Sequence, residues 1–332
     1  MRAVKRIAVI GSNSFSGSDF IDLLLEDPDN EVLGLGRSAE KGPLFLPYRR
    51  HNSSRFSFRQ LDLNKDLGEV ISRFDSFRPE YIVNFAAQSE VAPSWLHPGQ
   101  WFQTNAVALA ELVNQLKERN YLKRYVHISS PEIYGACSGT VSENAPYNPS
   151  TPYAASKAAA DMCLLAYFRQ FSFPVVLIRA TNVYGAHQQL FKIIPRAIIK
   201  IRAGQKIELH GGGAAVKSYI HIRDVSRGEL AAMIHGAPGD IFHFSPDNGI
   251  SIKDLVGLIC RKMAVPFENS VLAVSERPGQ DAAYVIDSDK ARRTLGWQSF
   301  IPLEDGIQEV IDWINGNWEM ISMLDHEYIH FP

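Results

Sequence analysis

The chain has 332 residues, of which 45% are hydrophobic, and its 34 basic and 36 acidic side chains leave a formal charge of −2. This balance predicts a globular protein with a full core and gives no reason to expect nucleic acid as a partner. The apolar run near the amino terminus is too short for a signal peptide, and no stretch approaches the ~20 apolar residues that span a bilayer. The three cysteines are far apart, with no CxxC pair. We therefore expect a cytoplasmic protein with no membrane partner.

Along the first 185 residues, short β-branched runs alternate with longer helical patterns. Strands are predicted at RIAVIG (6–11), EVLGLG (31–36), SFRQLDL (57–63), YIVNFAA (81–87), RYVHISS (124–130) and PVVLIRATNVYG (174–185). Helices are predicted at SGSDFIDLLLED (16–27), LGEVISRFDSF (67–77), WFQTNAVALAELVNQLKERN (101–120) and TPYAASKAAADMCLLAYFRQF (151–171). Nearly continuous apolar strands separated by helices are typical of a parallel sheet covered on both faces. The pattern predicts a doubly wound α/β fold of the Rossmann type.

The remainder of the chain is less regular. It contains a Gly-rich turn at 210–213, a predicted helix at 251–263 and a last predicted helix at 303–317. We expect a dinucleotide-binding domain over residues 1–184, with return segments near 218–245. Residues 185–332 would then form a smaller α/β domain over the carboxyl edge of the sheet, where ligands of such folds bind.

The first strand runs into a turn in which Gly11 and Gly17 bracket Ser14, at a position where a third glycine is usual. Such a turn brings backbone N–H groups and a helix amino terminus up to a pyrophosphate. Ser14 has a small side chain whose hydroxyl can hydrogen-bond to a phosphate. Taken alone, the two glycines leave an ordinary tight strand-to-helix turn as the less favoured alternative.

A stronger signal is Tyr153 followed four residues later by Lys157, because that spacing places both side chains on one face of a helix. A free tyrosine has a pKa near ~10, and a neighbouring ammonium stabilises its phenolate. The pair is suited to remove a hydroxyl proton while hydride leaves the same carbon for a nicotinamide. A solvent-exposed helix face is the alternative for the pair taken alone.

The end of the second strand bears on the choice of cofactor. The residue that would normally be an acid binding the adenosine ribose is Gly36, and Arg37 and Ser38 follow it. An acid there favours NAD, whereas an arginine can form charge-assisted hydrogen bonds to the 2′-phosphate of NADP. Arg37 stacked on adenine, or Glu40 in place of the missing acid, would instead suit NAD. The residues favour NADP over NAD.

Further motifs carry a family resemblance along nearly the whole chain. Together with Gly11 and Gly17 they are NFAA (84–87), HISSPEIYG (127–135), PYAASK (152–157), NVYG (182–185), RPGQD (277–281) and LGW (295–297). In order and spacing they resemble the extended short-chain dehydrogenase/reductase family, and within it most closely the nucleotide-sugar 4,6-dehydratases of the dTDP-glucose type.

The resemblance implies a nicotinamide cofactor that is used and regenerated within one catalytic cycle. Tyr153 and Lys157 would oxidise the sugar at C4, and Ser130 would hydrogen-bond the C4 oxygen. Glu132 would remove the acidified C5 proton as water leaves C6, after which hydride returns to C6. The resemblance also implies a homodimer, in which the helices at 101–120 and 151–171 pack against their counterparts.

The same resemblance implies the binding residues. Those for the cofactor are Gly11, Ser14, Phe15, Ser16, Gly17, Arg37, Ser38, Asp62, Leu63, Ala86, Ala87, Tyr153 and Lys157. Those for the nucleotide sugar are Gln88, Ser89, Asn182, Lys217 and Arg277. Lys217 replaces the usual arginine, and a lysine lacks the bidentate fork of a guanidinium, so Arg277 would carry more of the diphosphate binding. For Lys217 and Arg277 taken alone, plain surface charge is the alternative. No histidine spacing suggests a metal site.

Two positions depart from the relatives. Pro131 stands where the dTDP-glucose enzymes carry the Asp that protonates the departing hydroxyl, and Glu90 stands where many relatives have histidine. Either Glu132 serves as base and acid in turn, or the reaction stops short of dehydration. A 4-epimerase or a decarboxylase acting on the same kind of substrate is therefore the alternative. A non-catalytic, redox-sensing dinucleotide binder is disfavoured, because the chain retains Ser130, Glu132, Tyr153 and Lys157.

Overall fold

The computed structural model describes residues 5–51, 53–137, 139–275 and 285–331. The strands in these ranges are β1 (Lys5–Ile10), β2 (Asn30–Gly36), β3 (Phe56–Gln60), β4 (Tyr81–Asn84), β5 (Arg124–Ile128), β6 (Thr140–Val141), β7 (Val175–Ala180), β8 (Asn182–Tyr184), β9 (Ile207–His210), β10 (Val216–Lys217), β11 (Tyr219–His221), β12 (Ile241–Phe244), β13 (Ile250–Ser251), β14 (Val271–Val274) and β15 (Val285–Ile286).

The helices of the same ranges follow in chain order. They are α1 (Phe15–Leu25), α2 (Leu67–Phe77), α3 (Val91–Leu96), α4 (Pro98–Phe102), α5 (Ala108–Leu116), α6 (Pro152–Phe171), α7 (Ile193–Arg202), α8 (Ile222–His235), α9 (Ile252–Lys262), α10 (Phe267–Ser270), α11 (Asp289–Leu295), α12 (Leu303–Gly316) and α13 (Trp318–Ile321). None of the described helices combines the length and apolar character that crossing a bilayer requires.

The centre of the molecule is a seven-stranded parallel sheet in the order β12-β7-β5-β4-β1-β2-β3. Strands β1, β4, β5 and β7 are almost wholly buried, because helices cover both faces. One face packs against α1 and α8, and the other against α2, α5 and α6. The doubly wound α/β fold expected from the alternating pattern is confirmed.

The strand order reverses between β1 and β4. From β1 the chain proceeds outward through β2 and β3, and it then returns to β4 on the other side of β1. The loops after β1 and β4 therefore separate and leave a crevice at the carboxyl edge of the sheet. This crevice is where the sequence places the glycine turn.

The predicted helix at 101–120 is interrupted. A π-helical turn at Gln103–Val107 separates α4 from α5, and its Asn105 is buried. The side chain of Asn105 accepts from Gln88 N (2.8 Å) and donates to Gln88 O (3.0 Å) and to Ser156 Oγ (2.9 Å). A π-turn rotates one residue out of the α-helical register. Here it turns Asn105 inward, where it ties the loop after β4 to α6.

Residues after β7 build a second apolar core. The helices α7, α9 and α12 contribute most of it, and two-stranded pairs such as β9 with β14 border it. The strand predicted at 174–185 divides here, because β8 leaves the main sheet to pair with β11. The domain boundary at residues 184 and 185 stays a prediction.

Candidate active site

The turn after β1 has the geometry of a phosphate-binding loop. Gly11 has φ +82°, and a Cβ placed there would lie 2.7 Å from Ala86 N; a Cβ on Gly17 would collide with Gly11 O. Ser14 caps α1, accepting from Gly17 N at 3.0 Å. The hydroxyl that replaces the middle glycine thus closes the turn, and Phe15 and Ser16 begin the helix. Glycine at both ends allows backbone to approach a ligand closely, as a dinucleotide pyrophosphate requires.

The loop after β2 explains why residue 36 is a glycine. A Cβ on Gly36 would lie 3.2 Å from Asn13 Nδ2, which donates to Ser38 O and Ala39 O at 3.0 Å each. A larger side chain at position 36 would press on Asn13. Asn13 is a member of this site that sequence reasoning missed, and its position inside the glycine turn was the available signal. Arg37 Nη2 donates to Phe331 O at 2.9 Å.

The other predicted cofactor residues lie around the same crevice. Asp62 and Leu63 follow β3, and Ala86 and Ala87 follow β4, where Ala86 N donates to Asn84 Oδ1 at 2.9 Å. The crevice thus combines close backbone approach, a helix amino terminus and polar groups from three neighbouring strand ends. These residues fit a nicotinamide dinucleotide.

Ser130 and Glu132 lie just beyond β5, opposite the start of α6. Ser130 caps a short 3₁₀ turn (Pro131–Tyr134), and its Oγ accepts from Glu132 N at 3.2 Å. Pro131 is the first residue of this turn, where a proline costs no hydrogen bond and its fixed φ suits the helical backbone. The departure from the relatives thus has a structural use, which is to orient the backbone that carries Glu132.

Tyr153 begins α6 and faces these two residues. Burial, and then the charge of Glu132, raise the pKa of Tyr153, while a hydrogen bond with the Ser130 side chain lowers it. The structure therefore brings Ser130, Glu132 and Tyr153 together around one point at the edge of the sheet.

Lys157 lies one helical turn below Tyr153 and is buried. Its Nζ donates to Ile128 O at 2.7 Å and lies 3.2 Å from His127 Nε2. Burial lowers the pKa of Lys157 to about 8, partly offset by the Asp161 carboxylate. His127 is the second residue that sequence reasoning missed. The only signal was its position at the end of a buried strand facing the helix.

A cavity of about 590 Å³ opens beside this cluster and is lined by Glu132, Asn182 and Lys217. Lys192, which precedes α7, and Arg196 and Lys200 within α7 also line it, as do the carboxylates of Glu90, Glu208 and Glu327. Glu90, whose contact the sequence left open, accepts from Lys192 Nζ at 2.7 Å.

The predicted nucleotide-sugar residues are not all in this cavity. Asn182 and Lys217 line it, and Asn182 Nδ2 donates to Ser218 O at 3.1 Å. The Gln88 side chain instead donates to Phe331 O at 3.0 Å, and Ser89 Oγ lies 3.4 Å from Glu90 Oε1. Arg277 lies outside the described residues.

With this geometry established, the chain was compared with known proteins. The family model described as GDP-mannose 4,6 dehydratase matches residues 9–310. The chain belongs to this family. A dTDP-D-glucose 4,6-dehydratase of Homo sapiens is 30% identical, over 99% of this chain and 95% of its own length. A dTDP-glucose 4,6-dehydratase of Neisseria gonorrhoeae is 28% identical, over 94% and 96% of the two chains.

A solved structure agrees with the family assignment. The dTDP-glucose 4,6-dehydratase DesIV of Streptomyces venezuelae, with NAD bound, shares 30% identity, a TM-score of 0.87 and coverage of 95% of this chain and 98% of its own. Family membership confirms the predicted resemblance and the predicted class of enzyme. That class is a nucleotide-sugar 4,6-dehydratase that uses a nicotinamide dinucleotide.

Proposed function

We propose that the protein converts a nucleoside-diphosphate hexose, dTDP-glucose in the first place, to its 4-keto-6-deoxy derivative. The observation that carries the proposal is the meeting of Ser130, Glu132 and Tyr153 beside a cavity that Glu132 lines together with several lysine and arginine side chains. The curated relatives at 28 to 30% identity bear the name of a dTDP-glucose dehydratase, which favours this substrate among hexoses of the class.

The residues divide the proton transfers between them. Tyr153 removes the C4 hydroxyl proton, and Ser130, which hydrogen-bonds Tyr153, binds the C4 oxygen. Lys157 supplies positive charge beneath Tyr153 and binds the cofactor. A nicotinamide dinucleotide held by Lys157 and the crevice residues would supply the hydride acceptor for C4 and the hydride donor for C6.

Glu132 serves twice, because Pro131 has no proton to donate. Its carboxylate takes the C5 proton, which the C4 ketone has made acidic, and the resulting acid donates that proton to the departing C6 hydroxyl. One water leaves. As hydride returns to C6, C5 takes a proton from solvent by way of Glu132, and Tyr153 releases the C4 hydroxyl proton to solvent. The product therefore differs from the substrate by one water, and Glu132 ends the cycle as a carboxylate.

The diphosphate binds at the basic side chains of the cavity. Lys192 and Lys217 supply ammonium charges there, and Arg196 supplies a guanidinium that can bind phosphate oxygens in a bidentate manner. Lys192 reaches the cavity while paired with Glu90, so its charge is held in place. Asn182 hydrogen-bonds a polar group of the same substrate.

The cofactor preference and the assembly are further parts of the proposal. The absence of an acid at Gly36 and the charge of Arg37 favour NADP, whereas DesIV was solved with NAD. A 2′-phosphate would compete with Phe331 O for the Arg37 guanidinium. The enzyme forms a homodimer through α4, α5 and α6, and residues 185–332 form the nucleotide-sugar domain.

A substrate panel tests the proposal. Purified protein is incubated with dTDP-, UDP-, GDP- and CDP-hexoses, and the product is followed by 4-ketone absorbance in base and by mass. The proposal predicts loss of one water, fastest with dTDP-glucose. A product of unchanged mass and altered stereochemistry would instead establish the epimerase. Mass analysis of nucleotide released on denaturation decides between NAD and NADP.

A further inference from the structure

Lys157 is held by two adjacent groups of β5. Its ammonium has three N–H bonds; one is donated to Ile128 O at 2.7 Å and another points at His127 Nε2, 3.2 Å away. The third N–H is used by neither of these two contacts. Two contacts from neighbouring residues of one rigid strand define where that third N–H points.

His127 is suited to accept rather than to donate. Its ring is buried, and burial, followed by the charges of Lys157 and Arg179, sets the pKa of His127 well below the usual value. A neutral imidazole that accepts at Nε2 carries its proton on Nδ1. Within the described residues Nδ1 has no hydrogen-bond partner. Leaving this buried N–H unsatisfied costs folding free energy, which an apolar side chain that served only to pack would not cost.

We propose that His127 is a positioning residue that aims the free N–H of Lys157 at the cofactor. This rests on the role of Lys157 under the proposed function. The charged groups facing the pair are Asp161 on α6 and Arg179 on β7. Neither lies between His127 and Lys157, so substitution of His127 changes the contact to the ammonium directly.

The test compares His127→Leu with His127→Gln, whose amide oxygen replaces the lost acceptor. We measure the dissociation constants of NADH and NADPH by fluorescence, and turnover across the neutral-to-alkaline range. His127→Leu should weaken cofactor binding about tenfold. It should also move the alkaline limb of the pH–turnover curve, where turnover declines, to a pH about one unit lower, because an ammonium without its acceptor loses its proton more readily. His127→Gln should restore most of both.

Loss of stability in His127→Leu with an unmoved alkaline limb and unchanged cofactor affinity would overturn the proposal, because a merely structural role predicts that result. The variant Lys157→Met distinguishes failure of the proposed role of Lys157 from failure of the positioning role of His127. If this variant binds cofactor and turns over normally, the proposed role of Lys157 has failed; if it is impaired while His127→Leu is normal, only the positioning role has failed.

A second observation, independent of the first, concerns the end of the chain. Residues 325–331, here called the C-terminal strap, follow α13 and run from the cavity lined by Glu132 to the cofactor crevice. At the near end Glu327 accepts from Arg196 at 2.9 Å, and the Tyr328 ring packs edge-on against Phe191, with 5.2 Å between centroids. Glu327 and Tyr328 line the same cavity as Glu132.

The far end of the strap lies at the cofactor crevice. His330 stacks on His97 and Trp101, with centroids 5.0 and 5.3 Å away, and its Nε2 lies 2.7 Å from Gln100 Oε1. The next residue accepts twice, since Phe331 O receives bonds from both Arg37 and Gln88. Arg37 follows β2 and Gln88 follows β4, so the strap connects two loops that border the cofactor crevice.

The geometry points to a gate: the C-terminal strap must detach from α4 and from the loops after β2 and β4 before a dinucleotide can enter or leave. Both ends are held by polar contacts, and the far end uses donors from two loops that border the crevice. Entry and exit therefore require the same contacts to break. This fits a cofactor that is regenerated in place and need not exchange between turnovers, a point that rests on the proposed function.

Two histidines of the strap give a matched pair. His330 joins the strap to α4 and its neighbours, whereas among the described residues His326 bonds Ile321 O alone, at the near end of the strap. Rates of NADH and NADPH association and dissociation are measured by stopped-flow fluorescence for His330→Ala, His326→Ala and a chain ending at Leu324. His330→Ala and the shortened chain should raise both rate constants about tenfold, the loss of about one stacked, hydrogen-bonded contact. His326→Ala should match the unaltered chain.

Other outcomes contradict the gate. A strap that only competes with cofactor would change association alone, and one that only adds a contact to bound cofactor would change dissociation alone. Unchanged rates in both His330→Ala and the shortened chain would make the strap a passive tail. These rates need no turnover, so they separate failure of the gate from failure of the proposed reaction.

Discussion

Asp161 and Arg179 form an ion pair whose side chains are both fully buried, with 2.9 Å between Oδ2 and Nη2. The same Asp161 oxygen accepts from Ser129 Oγ at 2.7 Å, so the pair lies directly behind the strand end that carries Ser130. Tyr147 also contacts the guanidinium. The pair thus joins α6 to β7 and β5 beneath the proposed catalytic residues.

Asp161→Asn is expected to reduce the free energy of unfolding by ~3–5 kcal/mol, because it leaves a buried guanidinium without its counter-charge. Urea denaturation followed by circular dichroism measures this. The surface pair of Glu69 and Arg73, with both side chains 47% exposed, is the control. Glu69→Gln should change stability by less than ~1 kcal/mol. If the two substitutions lowered the free energy of unfolding equally, the buried pair would not contribute more to stability than the surface pair, and the prediction would be wrong.

Tyr153→Phe should retain the fold and bind cofactor, because the ring remains in its buried place, yet lose at least ~10²-fold in turnover, the scale of positioned acid-base catalysis. Turnover is measured with saturating substrate, and cofactor binding by fluorescence. Near-normal turnover would remove Tyr153 from the role of C4 base.

Glu132→Gln should still reduce bound cofactor when substrate is added, because oxidation at C4 does not use this carboxylate. Water should not be lost, since the amide neither removes the C5 proton nor donates one to the C6 hydroxyl. Cofactor absorbance and product mass are recorded together. Normal loss of water by this variant would reopen the epimerase alternative.

The pH dependence of turnover should follow Lys157. Because burial lowers the pKa of Lys157 to about 8, its ammonium is present below that pH and is lost above it. Turnover is therefore expected to decline on the alkaline side with a midpoint near this value. Lys157→Arg keeps its charge there, so whatever activity remains should lack this decline. A decline that persists in the arginine variant would assign it to another group.

Apolar side chains remain exposed on the helices expected at a dimer contact. Met162 and Phe171 on α6 are 60% and 50% exposed. A two-fold contact through this face would cover them, so light scattering at micromolar concentration should give a dimeric mass. Met162→Glu should give a monomer, because a carboxylate would be buried against its counterpart. A monomeric mass of the unaltered chain would contradict the expectation.

Local features of this protein followed from the sequence because they depend on residues close together in the chain. The period of the apolar residues distinguished strands from helices, and α2 was predicted with its observed bounds. Gly11 and Gly17 lie six residues apart in one turn, and Tyr153 and Lys157 share a face through helical spacing alone. Sequence patterns of this range identified the fold and the crevice and predicted the catalytic pair.

Contacts between distant segments were decided only by the tertiary structure. Glu90 meets Lys192, 102 residues away, and Arg37 meets Phe331, 294 residues away. His127 became a partner of Lys157 only because β5 pairs between β4 and β7 and α6 packs across it. Such contacts depend on how layers pack and how far loops extend, and neither leaves a period in the sequence. The order of strands brought the proposed catalytic residues together, and long-range packing determined which neighbours contact them.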